Sequence, residues 1–464
     1  MSAETAFADG LPSAILSEPE PRHLTEPRGR YRSAARLLAR PRTTEEVAQV
    51  VRAAGQNGIG IVPYAGGTGL VGGQVSGAEA ILLSVERLDR VREIDATDNV
   101  MVAEAGVILA DARAAAAEVD RLFPLSIAAE GSARIGGNLS TNAGGVQVLR
   151  YGNARDLCLG LEAVLPDGQI LHGLSRLRKD NTGYDLRHLL IGSEGTLGII
   201  TAASLKLFPR PRERVVALLA VASPAAALAL LNRVRDQVGE ALSAFEILAE
   251  TSFAFLAEAM PTLPRPFDTQ PAWAVLLEVG SGEGSALEAR LLPALEAAME
   301  AGELVDALIA QNEAQATDFW TLRESVPEAN RQIGAIASHD ISVPISRLPD
   351  FIAKARSALL REVPELRINC FGHVGDGNLH YNLFPPQGRS RSDFDTDRSR
   401  LTAIVHDLAH SLGGSVSAEH GIGRLKRGDL AQYGDPAKLS TMRAIKAALD
   451  PLGIMNPGAL FSDP

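Results

Sequence analysis

The sequence predicts an α+β protein of two domains, with a distinct segment closing the chain. Three observations predict it. Three glycine-rich stretches sit among apolar strands before Pro209 and Pro211. After those prolines the texture changes to longer strands alternating with helices, as at a domain boundary. From Gly413 onward come SAEHGIGRLKR, one helical stretch and DPLGIMNPGAL. At 464 residues the chain is also too long for one ordinary core.

Residues 1–40 show little pattern beyond a short helix expected at 31–39. Thr43 and Glu46 form a capping-box pattern before Val47, Val50 and Val51, which opens the next helix. The strand IGIVPY leads into AGGTGLVGG, residues 65–73, where five of nine positions are glycine. Such a backbone can take φ > 0 and turn its N–H groups toward a ligand's phosphates. The run is neither a GxGxxG fingerprint nor a P-loop, and by itself also fits a flexible loop. Strands at 80–84 and 100–104 and a helix at 108–118 follow. A second stretch, GSARIGGNLSTNAGG, covers 131–145, and a third, GSEGTLGII, covers 192–200. Three such stretches without a catalytic nucleophile predict a cradle for one extended cofactor.

In the second domain strands are expected at 215–221, 245–248, 273–279, 307–310 and 341–343. Helices are expected at 223–238, 283–301, 314–333, 348–360 and 393–412. The pattern predicts an antiparallel sheet covered by helices. Its last strand pair lies in FGHVGDGNLHYN, where His373 and His380 flank a glycine turn. Alternation puts His380 and Asn382 on one face. Two imidazoles so placed can hold a divalent metal if a carboxylate joins them, and Glu419 in SAEHGIG is the candidate. The spacing alone equally fits a strand-capping His373 and a half-buried structural His380.

A net charge of −11 argues against nucleic acid as a partner. Two cysteines, Cys158 and Cys370, in no CxxC pair exclude a disulfide framework and suit a reducing compartment. The acidic N-terminus has no apolar run, and the apolar stretch at 215–232 is broken by Ser223 and Pro224. No secretory signal or membrane span is expected, and the location expected is cytoplasmic.

Six stretches together resemble the flavin-dependent 2-hydroxyacid dehydrogenases of the vanillyl-alcohol oxidase/p-cresol methylhydroxylase superfamily. Within it the chain looks first like the D-2-hydroxyglutarate dehydrogenases and next like the D-lactate dehydrogenases. The stretches are PYAGGTGLVGG, GSARIGGNLSTNAGG with VQVLRYG, RKDNTGYDLRHLLIGSEGTLGIIT, GHVGDGNLHYN, SAEHGIGRLK and LDPLGIMNPG. The resemblance implies a p-cresol methylhydroxylase-type FAD-binding domain at 41–212 and a cap domain at 213–412. A segment at 413–464 would carry catalytic residues and return to the FAD domain.

The resemblance also implies FAD along Pro63, Gly66, Gly67, Thr68 and Gly69, then Gly136, Gly137, Asn138, Thr141, Gly144 and Gly145. Gly195, Thr196, Ile200 and Asn456 complete that set. The first glycine loop holds no histidine or cysteine, so the flavin is expected to be non-covalent. By the same resemblance His373, His380 and Glu419 are ligands of Zn²⁺ or a similar metal. His420 is the catalytic base, and Arg323 and Asn382 contact the substrate. The reaction implied is oxidation of a D-2-hydroxy acid to its 2-oxo acid, with hydride passing to flavin.

Electron-transfer flavoprotein, a quinone or a cytochrome is the expected acceptor, and a homodimer is one assembly considered. Two positions depart from the hydroxyglutarate enzymes, which have threonine four and lysine fifteen residues beyond the arginine. Here Pro327 and Ser338 stand there, which points to smaller or less charged acids. His339 is read as structural, and Arg424, Lys426 and Arg427 as a solvated basic cluster. A glycolate-oxidase-like subunit and a metal-dependent hydrolase are the competing functions.

Overall fold

The computed structural model describes residues 3–461. The first two residues of the expected extension and the last three of the closing segment lie outside the described residues. The chain divides into two compact units. The first takes the residues up to Gly144, Gly152–Arg210 and those from Glu419 on; the second takes Gly145–Tyr151 and Pro211–Ala418.

In the first unit, Thr43 Oγ1 caps the helix Thr44–Asn57 by accepting from Glu46 N at 3.2 Å. Glu46 returns its carboxylate to Arg42 N, one residue earlier than a full capping box requires. Buried Val47, Val50, Val51 and Ala54 pack this helix against Ile61, Ile81 and Leu83. Ala80–Ser84 pairs in parallel with Gly60–Tyr64 and with the short strand Leu38–Ala39. That pairing replaces the helix expected at 31–39: Leu38–Ala39 lies between Leu16–Ser17 and Ala80–Ser84 in the sheet, while Ser33 N and Ala34 N bond Leu24 O and Ser76 O. A five-stranded antiparallel sheet runs in the order Val91–Asp95, Val100–Glu104, Ile199–Lys206, Cys158–Val164, Ile170–Gly173.

The second unit is built on seven antiparallel strands. Their order is Leu304–Ile309, Glu213–Val221, Trp273–Ser281, Leu242–Ala249, Arg367–His373, Asn378–Phe384, Asp340–Ser342. Along Glu213–Val221 the period of two is plain: Ala217, Leu219 and Val221 join one core, Val216 and Leu218 the other. Helices Pro224–Val238, Leu287–Glu300 and Leu348–Glu362 cover the first face, and Glu250–Ala259 and Glu313–Ile333 the second. Ser223 caps the first of these by accepting from Ala226 N at 3.1 Å, with Pro224 at its first position. The helix expected at 393–412 is two pieces, a 3₁₀ turn Arg391–Phe394 and the helix Arg398–Ser411.

Candidate active site

The three glycine stretches meet within the first unit. A Cβ on Gly66 would lie 2.1 Å from Ser132 O, and one on Gly137 would lie 3.0 Å from Ala65 Cβ. Gly195, at φ +72°, is pressed against Pro63, and Glu194 N donates to Ser140 O at 2.8 Å. Gln74 Nε2 holds the first loop by the carbonyls of Gly67 and Gly69, at 3.3 and 2.8 Å. The amides of residues 65–70 have no backbone acceptor among the described residues, and this stretch is half-exposed. Asn138 Nδ2 is buried without a partner. Half-exposed amides and an unused amide donor fit an anionic, extended cofactor.

Some of the expected cofactor residues already have partners within the unit. Thr141 and Thr196 donate their hydroxyls to Gly137 O and Ser193 O, within their own turns. Gly136 packs on Ala105, and Ile200 is buried in its strand. Gly144 closes a stretch of the first unit, whereas Gly145 begins the segment assigned to the second.

The C-terminal segment is stitched into the first unit by polar bonds. Arg424 Nη1 donates to Gly72 O and Gly73 O, both at 3.0 Å, and Nη2 to Pro457 O at 2.7 Å. Asn456 Nδ2 donates to Gly73 O and Glu194 O, at 3.0 and 2.7 Å. Arg424 and the buried Lys426 are therefore not the solvated cluster expected, because bound carbonyls and burial replace water around them. The Glu194 carboxylate accepts Ile422 N and Gly423 N, both at 2.7 Å, two and three residues beyond His420. Burial pushes this carboxyl above the usual glutamate range, against the pull of those amides.

In the second unit a row of polar groups lies on the sheet face covered by Glu313–Ile333. Strands Arg367–His373 and Asn378–Phe384 pair Phe371 with His380 and His373 with Asn378, so the two histidines are diagonal neighbours on one face. Their ring centroids are 5.8 Å apart. Asn382 Oδ1 accepts from His339 N at 3.1 Å. His339 Nδ1 and Nε2 are engaged with Tyr381 O and Thr402 Oγ1, which suits the structural role expected of it.

Sequence reasoning missed Glu246, directly across the ladder from His373. Its Oε1 lies 2.6 Å from His373 Nδ1, and its Oε2 accepts Arg323 Nε and Nη2 at 2.8 and 2.7 Å. Burial alone would raise the Glu246 carboxyl, but the Arg323 charge and the hydrogen bonds from His373 and Arg323 hold it below the usual glutamate range. Arg323 is 6% exposed, so it is no solvated surface charge, and its Nε–Nη2 edge is committed to Glu246. A lone carboxylate inside the apolar run FEIL was the available signal, since such a group must be paired.

The division between units falls at the Ala418–Glu419 peptide, and Ala418 N donates to Asp340 O at 3.3 Å. Glu419 is the next residue, and one ligand atom each from His373, His380 and Glu419 lies within 4.8 Å of the others. Two imidazoles and a carboxylate are a donor set that fits a borderline divalent ion. The chain at Glu419 and His420 is bent rather than extended, and His420 Nε2 lies 3.8 Å from Glu419 Oε1.

Family models match both parts of the chain: an FAD binding domain over residues 35–173, and the C-terminal domain of FAD linked oxidases over 210–460. The chain belongs to the FAD-linked oxidase family. It is an FAD-linked oxidoreductase of the p-cresol methylhydroxylase-type fold. A protein of Xanthomonas citri pv. viticola named D-2-hydroxyglutarate dehydrogenase is 38% identical over 425 residues, 91% of this chain and 89% of its own. A mitochondrial protein of that name from Danio rerio is 39% identical over 430 residues, 92% and 78% of the two chains. The solved structure of p-cresol methylhydroxylase superposes with a TM-score of 0.76 at 17% identity, over 99% of this chain and 96% of the other. No described helix is long and apolar enough to cross a membrane.

Proposed function

We propose that this FAD-linked oxidase is a D-2-hydroxy acid dehydrogenase, with metal-assisted chemistry and His420 as base. The observation that carries the reading is the convergence of His373, His380 and Glu419, next in sequence to His420, in a chain of this family. The relatives' names place hydroxyglutarate among the substrates to test. Non-covalent FAD in the first unit supplies the hydride acceptor. His373, His380 and Glu419 would hold a divalent ion, Zn²⁺ or similar, and when bound it would supply the charge that acidifies the substrate hydroxyl. His420 takes the hydroxyl proton, imidazole being the side chain whose intrinsic basicity suits a base near neutrality. Asn382, Arg323 and the metal ligands orient the acid. The electron acceptor in this reading would be an electron-transfer flavoprotein, a quinone or a cytochrome. A cytoplasmic setting belongs to the same reading, supported by two buried, unpaired cysteines.

Anaerobic flavin reduction tests this across D- and L-2-hydroxy acids, with and without Zn²⁺. Bleaching by D acids alone is expected, and no bleaching by any hydroxy acid would overturn the reading. His420→Ala should abolish reduction while FAD stays bound; unchanged reduction sinks the base assignment.

Specificity rests on two positions. Pro327 lies inside Glu313–Ile333 and offers no N–H to the Arg323 carbonyl, and Ser338 is half-buried just after that helix. The missing lysine favours smaller or less charged acids over a dicarboxylate. Ser338→Lys should shift relative kcat/KM toward 2-hydroxyglutarate over D-lactate by about tenfold, the worth of one charge-assisted bond. An unchanged ratio removes Ser338 from the pocket.

A further inference from the structure

We infer that Glu246 is a positioning residue that sets the tautomer and ring orientation of His373, and that Arg323 acts through Glu246. This rests on the metal-site reading given above. The two carboxylate oxygens have separate tasks. Oε2 takes both Nε and Nη2 of Arg323, and Oε1 is left facing His373 Nδ1. With Nδ1–H donated to Oε1, Nε2 keeps its lone pair and becomes the ring's ligand atom.

The backbone makes this arrangement rigid. Glu246 and His373 are partners in register across the antiparallel pair Leu242–Ala249 and Arg367–His373. The Glu246 and Arg323 side chains are only 1% and 7% exposed, so water competes little for either partner. Arg323 also lies over the Phe371 ring, its guanidinium carbon 5.3 Å from the centroid. Phe371 in turn packs on His380, with centroids 4.9 Å apart. One guanidinium thus reaches both histidines, one through a carboxylate and the other through a ring. Its charge balances Glu246, so the carboxylate orients His373 without leaving an uncompensated buried anion.

A substrate clamp needs a guanidinium edge free to meet a carboxylate. Here the Nε–Nη2 edge is spent on Glu246, so only the Nη1–Nη2 edge is left for the acid that Arg323 helps to orient. The test is Zn²⁺ affinity of chelator-stripped, FAD-loaded protein, by competition with a fluorescent chelator. Wild type, Glu246→Gln, Arg323→Met and the double variant are compared, with FAD content and melting temperature recorded for each. Glu246→Gln should weaken Zn²⁺ binding by roughly 10–100-fold. The double variant should bind no worse than Glu246→Gln alone, since both changes cut one chain of contacts.

Ring ¹⁵N chemical shifts of His373 in the stripped protein give a second readout. An Nδ1–H tautomer is expected in wild type, with loss of that signature in Glu246→Gln. Where Glu246→Gln does not fold, Glu246→Asp serves instead, with partial loss of affinity expected. Wild-type Zn²⁺ affinity and tautomer in a folded Glu246 variant would overturn the inference while leaving the metal reading intact. Multiplying losses in the double variant would overturn the role given to Arg323. Failure of the wild type itself to bind Zn²⁺ would overturn both readings together.

Discussion

Glu194 and Glu246 are both buried, at 8% and 1% exposure, yet the two carboxyls shift in opposite directions. Glu194 accepts two backbone amides, and burial wins: its proton is held more tightly than in water. Glu246 faces a guanidinium and an imidazole, and charge wins: its proton is lost far below the usual range. At Glu194 two backbone amides and the charges of Arg424 and Lys426 do not offset burial, whereas at Glu246 a guanidinium in direct contact does. The two units are built accordingly. The first surrounds its candidate cofactor site with main-chain groups and turns; the second assembles its site from side chains on a sheet face.

The largest break in this contrast is Glu246→Ala. It strands Arg323 in a buried position, and roughly 3–5 kcal/mol of stability should be lost from the unit that holds it. Denaturant unfolding measures this, and a cost under about 1 kcal/mol would mean that water or another anion replaces Glu246.

Glu194→Ala should cost less, about 1–3 kcal/mol for two amides left without acceptors. Its sharper effect is on the loop after His420. Flavin reduction should slow with FAD still bound, while amides 422 and 423 gain hydrogen exchange. Unaltered exchange there would show that Arg424 and Asn456 hold the loop without Glu194.

The smallest effect is on pH dependence. A folded-state pKa above the unfolded one means that the folded chain keeps a proton that the unfolded chain releases. Glu194 therefore lowers stability as pH rises from the ordinary glutamate value toward its raised value. Thermal melts of wild type should show that decline, and Glu194→Gln should flatten it. A steeper slope in the variant would reverse the assigned shift.

Much of the architecture was legible in local sequence. The capping pattern at Thr43, the Ser223–Pro224 helix start and the strand periods follow from short-range sterics and burial. The histidine pair was legible too, because a short glycine turn leaves few ways to place two flanking strands. Glu246 was not, because its meaning depends on a residue 127 positions away across a strand pair. The helix expected at 31–39 failed for a related reason: strands distant in sequence flank 38–39 on both sides, partners that local propensity could not foresee.

Periodicity and glycine placement by themselves determined the α+β class and the histidine pair, and the resemblance of six ordered stretches pointed to the flavin-binding family. All of these are written in neighbouring residues or in motifs that keep their order. Only the tertiary structure decided that Arg323 turns its forked edge to Glu246, and that Glu194 holds the loop beyond His420. Those outcomes depend on which buried charge finds which partner, and long-range register makes that choice.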